Sequence, residues 1–167
     1  MVNRSNVVGV MLLAAVFGLT LQLFAADAKK EPELKDVVGV LPKFAIPMRE
    51  VGDRFQNMYF AAKSGNWGLA YYMSKYMNGA MTPAKITKPD EYPLWAGFYT
   101  DTVGPINKAI FAKDFPTFEK KYTEAIDTCN ACHAGMGYGF IKVKKLSAPA
   151  DQGIDYTLQS KGEDVPK

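Results

Sequence analysis

Residues 114–139 read DFPTFEKKYTEAIDTCNACHAGMGYG, and this stretch decides the fold. Asp114 carries the side-chain oxygen that accepts an orphan N–H at a helix start, and Pro116 falls in the first turn, where a missing donor does no harm. From there Phe118, Tyr122, Ala125, Cys129 and Cys132 recur at spacings of four, three, four and three, the apolar stripe of an amphipathic helix. Gly135, Gly137 and Gly139 end it. The pattern predicts one long helix whose far end carries Cys129-Asn130-Ala131-Cys132-His133.

The same periodicity recurs upstream. Pro47 opens a first helix with Met48, Val51, Phe55, Met58 and Ala62 on one face, closed by Lys63-Ser64-Gly65. Asn66 is a candidate N-cap for a second, which presents Trp67, Ala70, Met73 and Met77 and weakens at Asn78-Gly79. The stretch on to Tyr92 holds Pro83 and Pro89 and reads as the longest loop. A third helix starts near Pro93 with Trp95, Tyr99, Val103, Ile106 and Ile110 on its stripe. Pro105 lies inside it, lacks a donor and crowds the carbonyl of Asp101, which predicts a kink or break near Gly104. Four helices of about 12–20 residues match one another in length at 1.5 Å per residue, so the expected fold is all-α, an antiparallel four-helix bundle.

Four segments make up the expected organisation. Arg4, the apolar run Val7–Phe24 and the small triplet Ala26-Asp27-Ala28 have the order of a secretory signal peptide, so residues 1–28 are read as cleaved and the protein as exported, periplasmic in a bacterium. The rival is an uncleaved anchor, since Val7–Ala26 spans about 20 residues. Residues 29–46 form an N-terminal arm, 47–145 the bundle and 146–167 a polar tail, with arm and tail draped over the bundle. Phe140-Ile141-Lys142-Val143 alternates like a strand, but no second run exists to pair with it. Removing 28 of the 167 residues leaves 139, enough for one core around a cofactor. A net charge of +3, with lysines spread from Lys29 to Lys167, argues against nucleic acid as the main partner.

The chain has two cysteines and one histidine, all inside the window 129–133. A zinc site needs four ligands, and no further Cys or His is available. A thioredoxin-type pair opens a helix in a strand-helix-strand setting, whereas this pair closes a long helix. Two buried structural cysteines with a core histidine form the bland reading, against which stands the whole Cys and His inventory in one ordered window. What remains is covalent attachment of one haem c, in which Cys129 and Cys132 form thioethers with the vinyl groups and His133 ligates the iron. Residues three and four apart share a helix face, so the spacing suits one porphyrin edge. Export fits too, because haem c attachment takes place outside the cytoplasm.

A helical chain with its single Cys-x-x-Cys-His site near the end of the fourth helix resembles the class II c-type cytochromes, the cytochrome c prime family and its low-spin relatives. The likeness covers roughly Pro47–Phe140 and lies in arrangement more than in motifs. Asn66-Trp67 and Gly139-Phe140-Ile141 are similar to stretches of exported haem c proteins of bacteria. In the family a first-helix residue one turn after an arginine faces the distal side of the haem. Arg54-Phe55-Gln56-Asn57-Met58 matches that spacing, making Met58 the candidate for distal ligand or distal packing and Arg54 a candidate for a propionate contact. The likeness departs at Gly137, where cytochrome c prime proteins generally carry an arginine four residues after the histidine, so their gas-binding behaviour is not carried over.

With His133 the only imidazole, a bis-histidine iron is excluded. The distal site is then methionine, lysine, an external ligand or vacant, and the expected function is that of an electron carrier, not an enzyme, serving larger redox proteins. The alternatives are a five-coordinate haem protein that binds NO or CO, and a haem-bearing subunit of a larger complex. Lys142, Lys144 and Lys145 form a small basic cluster, and the adjacent aromatics Tyr59-Phe60 and Tyr71-Tyr72 cannot all face the core, leaving a surface for a partner or a homodimer.

Overall fold

A computed structural model describes residues 31–159. The signal peptide, or the anchor that rivals it, lies outside the described residues. Among the described residues there are helices and no strand. A short helix α1 (Leu34–Val40) leaves Leu34, Val37 and Val40 exposed. The first long helix, α2, spans Ala45–Lys63, two residues earlier than Pro47 predicts, with Pro47 buried in its first turn. Two closing bonds end it, Asn66 N–H to Ala61 O at 2.9 Å and Gly65 N–H to Ala62 O at 3.0 Å. They require left-handed backbone at Gly65 (φ +78°), a conformation that only glycine adopts without strain.

Helix α3 (Trp67–Ala80) begins at the expected cap, Asn66 Oδ1 accepting from Leu69 N–H at 3.0 Å. The following segment is not the featureless loop its prolines suggest. Pro83 leads a helical turn α4 (Ala84–Thr87), and a short helix α5 (Tyr92–Phe98) follows with Pro93 in its first turn. No break occurs at Gly104. The helix widens through a π turn at Tyr99–Val103, where Gly104 N–H donates to Tyr99 O, and then continues as α6 (Gly104–Ala112). The wider ring gives the chain room at Pro105, which has no N–H to offer Asp101, so the axis carries on. Helix α7 (Phe115–Gly135) starts as expected, Asp114 Oδ1 accepting from Thr117 N–H at 3.1 Å.

Helix α2 packs on α3, α3 on α6, α6 on α7, and α7 on α2. They share one apolar core, in which Met58, Met77, Met81, Ile106, Ile110, Phe118 and Tyr122 are fully buried. Aromatic rings fill the space between α2 and α7: Phe55 stacks on Tyr122 at 4.3 Å between centroids, and Tyr59 meets Phe115, Phe118 and Tyr122 at 5.0–6.4 Å. One member of each adjacent aromatic pair is buried deeper than the other: Tyr59 lies inside while Phe60 is half-buried, and Tyr71 is half-buried while Tyr72 is exposed.

The segment after α7 crosses back over α2 and is fastened by amides. Gln56 is buried, and its Nε2 donates to Lys144 O at 2.8 Å while its Oε1 accepts from Tyr122 OH at 3.1 Å and Leu146 N–H at 3.3 Å. Asn57 Oδ1 accepts from Asp151 N–H at 3.1 Å, and Tyr156 is buried against the core. The segment is held at Lys144, Leu146 and Asp151 by these two amide side chains of α2. The strand-like alternation at 140–143 produces no strand.

Candidate functional site

Counting along the helices from their ring contacts shows what stands level with the Cys-x-x-Cys-His window. Phe55 pairs with Tyr122, and the residues earlier in α7, Phe115 and Phe118, meet Tyr59 later in α2, so the two helices run in opposite directions. Seven residues from that pair, toward the start of α2 and the end of α7, Met48 comes level with Cys129. Helix α3 packs on α2 after a three-residue reversal and so runs in the sense of α7; with Trp67 meeting Phe118 across the core, Met77 and Met81 come to the levels of about residues 128 and 132. Trp95 lies at this end as well, its Nε1–H donating to Asn78 Oδ1 at 3.1 Å. Met48 packs against the core, and Met77, Met81 and Trp95 are buried.

Met58 is elsewhere. It is fully buried, on the side of the Phe55–Tyr122 pair away from the window, level with Glu119. That is about ten residues from the level of Cys129, roughly 15 Å at 1.5 Å per residue. Arg54 lies between. Its Nη2 pairs with Glu50 Oε1 at 2.6 Å, and its Nε is buried with no acceptor, the one such side-chain atom among the described residues. A buried donor in that state costs free energy until an acceptor reaches it.

The window itself straddles the core boundary. Cys129 is half-buried as a residue, and its thiol is pushed up to about 12, first by burial and then by Cys132 beside it. Cys132 is exposed, not on the core stripe that its spacing implies. In the haem-free chain, iodoacetamide at pH 8 is therefore expected to alkylate Cys132 faster than Cys129 by on the order of tenfold or more, read by peptide mass spectrometry; equal rates would contradict the burial of Cys129.

His133 is held from behind. Helix α7 closes through Tyr138 N–H to His133 O at 2.7 Å and Gly137 N–H to Ala134 O at 3.2 Å, with Gly137 left-handed at φ +82°. This is the physical reason for a glycine at 137: an arginine there would sit in strained backbone. The reversal returns the chain over the imidazole, and Ile141 O lies 3.2 Å from His133 Nδ1. A carbonyl only accepts, so in the neutral ring this contact places the proton on Nδ1 and the lone pair on Nε2. No protein family model, curated protein or solved structure matches this chain.

Among the described residues, no three His, Cys, Asp or Glu side chains converge as a cage for a bare metal ion. The donor set does fit covalent haem: two unpaired thiols one turn apart and an imidazole whose Nδ1 is engaged by a backbone carbonyl. Sequence reading missed the amides that build this setting, Gln56 on α2 and Asn130 between the two cysteines. Asn130 Nδ2 donates to Val143 O at 3.0 Å, and its Oδ1 accepts from Val143 N–H at 2.8 Å. The available signal was an amide on or beside an apolar helix stripe, where an unpaired one would be costly.

Around the window the surface is apolar. Met136, Tyr138, Phe140 and Ile141 are exposed beside it, with Lys142 and Lys144. Lys145 does not join them. It pairs with Glu119 at 2.8 Å and lies 4.1 Å from the centre of the Tyr59 ring, and Glu119 is held below the usual carboxylate range by Lys145 and then by the Tyr59 hydroxyl.

Proposed function

We propose that this chain is an exported, monohaem c-type cytochrome of the antiparallel four-helix-bundle kind, passing single electrons between larger redox proteins and transforming no substrate. The observation that carries the reading is the only imidazole of the chain, held at Nδ1 by Ile141 O and adjoining in sequence two unpaired thiols one helical turn apart. Haem c held there supplies a one-electron iron couple. Cys129 and Cys132 would hold the porphyrin as thioethers and His133 would ligate the iron. The carbonyl of Ile141 sets the orientation and basicity of the His133 ring.

For a second ligand to the iron, Met48 would be better placed than Met58 by the helix register. Met48 is on the same helix, level with Cys129, and a helical side chain leans toward the start of its own helix, which for Met48 is further toward the His133 end. A thioether there gives a low-spin iron with a raised potential, which suits electron transfer and not gas binding. Arg54, with its unmet Nε–H, is retained as the candidate partner for a propionate. The exposed Met136, Tyr138, Phe140 and Ile141 with Lys142 and Lys144 are the proposed docking face for a redox partner.

No helix among the described residues is long and apolar enough to cross a membrane. Export and cleavage after Ala28 rest on the residues quoted for the signal peptide. The test is the absorption spectrum of protein purified from cells that mature c-type cytochromes. The ferric form should be low-spin with a sulfur-to-iron charge-transfer band. Met48→Ala should abolish that band and lower the potential, and Met58→Ala should leave the band in place. A high-spin ferric protein that binds carbon monoxide with no ligand displaced would overturn the electron-transfer reading. Loss of the band in Met58→Ala alone would return the distal role to Met58.

A further inference from the structure

We propose that Asn130, the residue between the two cysteines, is a positioning residue for His133. The inference rests on the haem reading for its redox consequence, though not for its geometry. Asn130 lies three residues before His133 on α7, so the two share a side of the helix. Its amide makes both bonds to one backbone unit, donating to Val143 O at 3.0 Å and accepting from Val143 N–H at 2.8 Å. Val143 is two residues beyond Ile141, whose carbonyl meets His133 Nδ1 at 3.2 Å.

The segment that carries that carbonyl has little else to hold it. Phe140 is 81% exposed and Ile141 is 46% exposed, and neither belongs to an element. On the near side the chain is pinned by Tyr138 N–H to His133 O at 2.7 Å and by Ile141 N–H to Tyr138 O at 2.8 Å. On the far side the two-bond amide clamp fixes Val143, and Gln56 holds Lys144 O from α2. Ile141 O is thus suspended between a turn closed on His133 itself and a clamp closed on Asn130. Both ends of the arch stand on the last two turns of α7, so the imidazole and its carbonyl partner move as one body.

The amide is required in both its halves. Aspartate keeps the acceptor for Val143 N–H and loses the donor to Val143 O. Alanine loses both. Freed of the clamp, the 141–143 segment gains conformational freedom, the Nδ1–H···O bond is made only part of the time, and the imidazole becomes a weaker donor to whatever it ligates through Nε2.

The experiment compares full-length, haem-loaded wild type with Asn130→Ala, Asn130→Asp and, as a neighbouring control on the same helix, Thr128→Ala. Three quantities are read: hydrogen exchange of the Val143 amide, hydrogen exchange of the His133 Nδ1–H by NMR, and the midpoint potential. We expect Asn130→Ala to speed both exchanges tenfold or more and to raise the potential. Asn130→Asp should give intermediate values, and Thr128→Ala wild-type values, with the unfolding midpoint close to wild type in all. Faster exchange at Val143 alone, with His133 Nδ1–H and the potential unmoved, would overturn the proposal, since the clamp would then be structural only. No change at either proton would overturn it as well. Should the wild type carry no haem, the proposed function fails, and the two exchange rates in the haem-free chain still decide whether Asn130 positions His133.

Discussion

Phe118→Ala is expected to lower the free energy of unfolding of the haem-free chain by about 3–5 kcal/mol, measured by urea denaturation followed by circular dichroism. Phe118 is fully buried where α2, α3 and α7 meet, its ring 5.9–6.4 Å from those of Tyr59, Trp67, Phe115 and Tyr122. Removing it leaves a cavity that four rigid rings cannot close by a small shift, so the cost sits at the high end for a core truncation. A domain of this size has about 5–15 kcal/mol in total, so the loss takes a large share of it and should lower the unfolding midpoint clearly. Phe140→Ala is the matched control: it removes the same group from a site that is 81% exposed and should change stability by less than about 0.5 kcal/mol. A loss below about 1 kcal/mol in Phe118→Ala would show that this ring cluster is not the centre of the core.

His133→Ala is expected to have the opposite profile. His133 belongs to no part of the buried core, and the hydrogen bond of its ring to Ile141 O is exposed, so the haem-free variant should keep its helical circular dichroism and lose about 0.5–1 kcal/mol. In protein from cells that mature c-type cytochromes, the change should remove the wild-type ferric spectrum altogether, because the chain has no second imidazole to substitute. A variant with an unchanged ferric spectrum would show that His133 is not the ligand.

What was legible in the sequence was whatever depends on local chemistry. Asn66 and Asp114 cap α3 and α7 because their side-chain oxygens need only a backbone N–H three residues on. The stripes of α2, α3 and α7 follow the helical period because burial selects it. Pro105 marked a disturbance correctly, but its form could not be foreseen: a π turn and a broken helix satisfy the same missing donor, and packing of α5 and α6 on their neighbours favours the continuous axis. The prolines at 83 and 89 read as loop, although Pro83 is well suited to start the turn that became α4.

The candidate site was legible in its residues and not in its setting. Cys129, Cys132 and His133 are contiguous, so their grouping needs no tertiary information. Met58 was chosen by its distance from Arg54 along one helix, whereas the level at which α2 meets α7 depends on how Phe55, Tyr59, Phe118 and Tyr122 interlock, which no single-helix pattern contains. The clamp of Asn130 on Val143 and the hold of Gln56 on Lys144 are likewise contacts between segments 13 and 88 residues apart. An amide reveals a need for partners but not which partners it finds.

Mass spectrometry of the purified, exported protein after denaturation and extraction of loose pigment bears on the central claim most directly. The account predicts a chain beginning after Ala28 whose mass is raised by one haem, with neither Cys129 nor Cys132 left to alkylate. A chain of unmodified mass with two alkylatable thiols would contradict it.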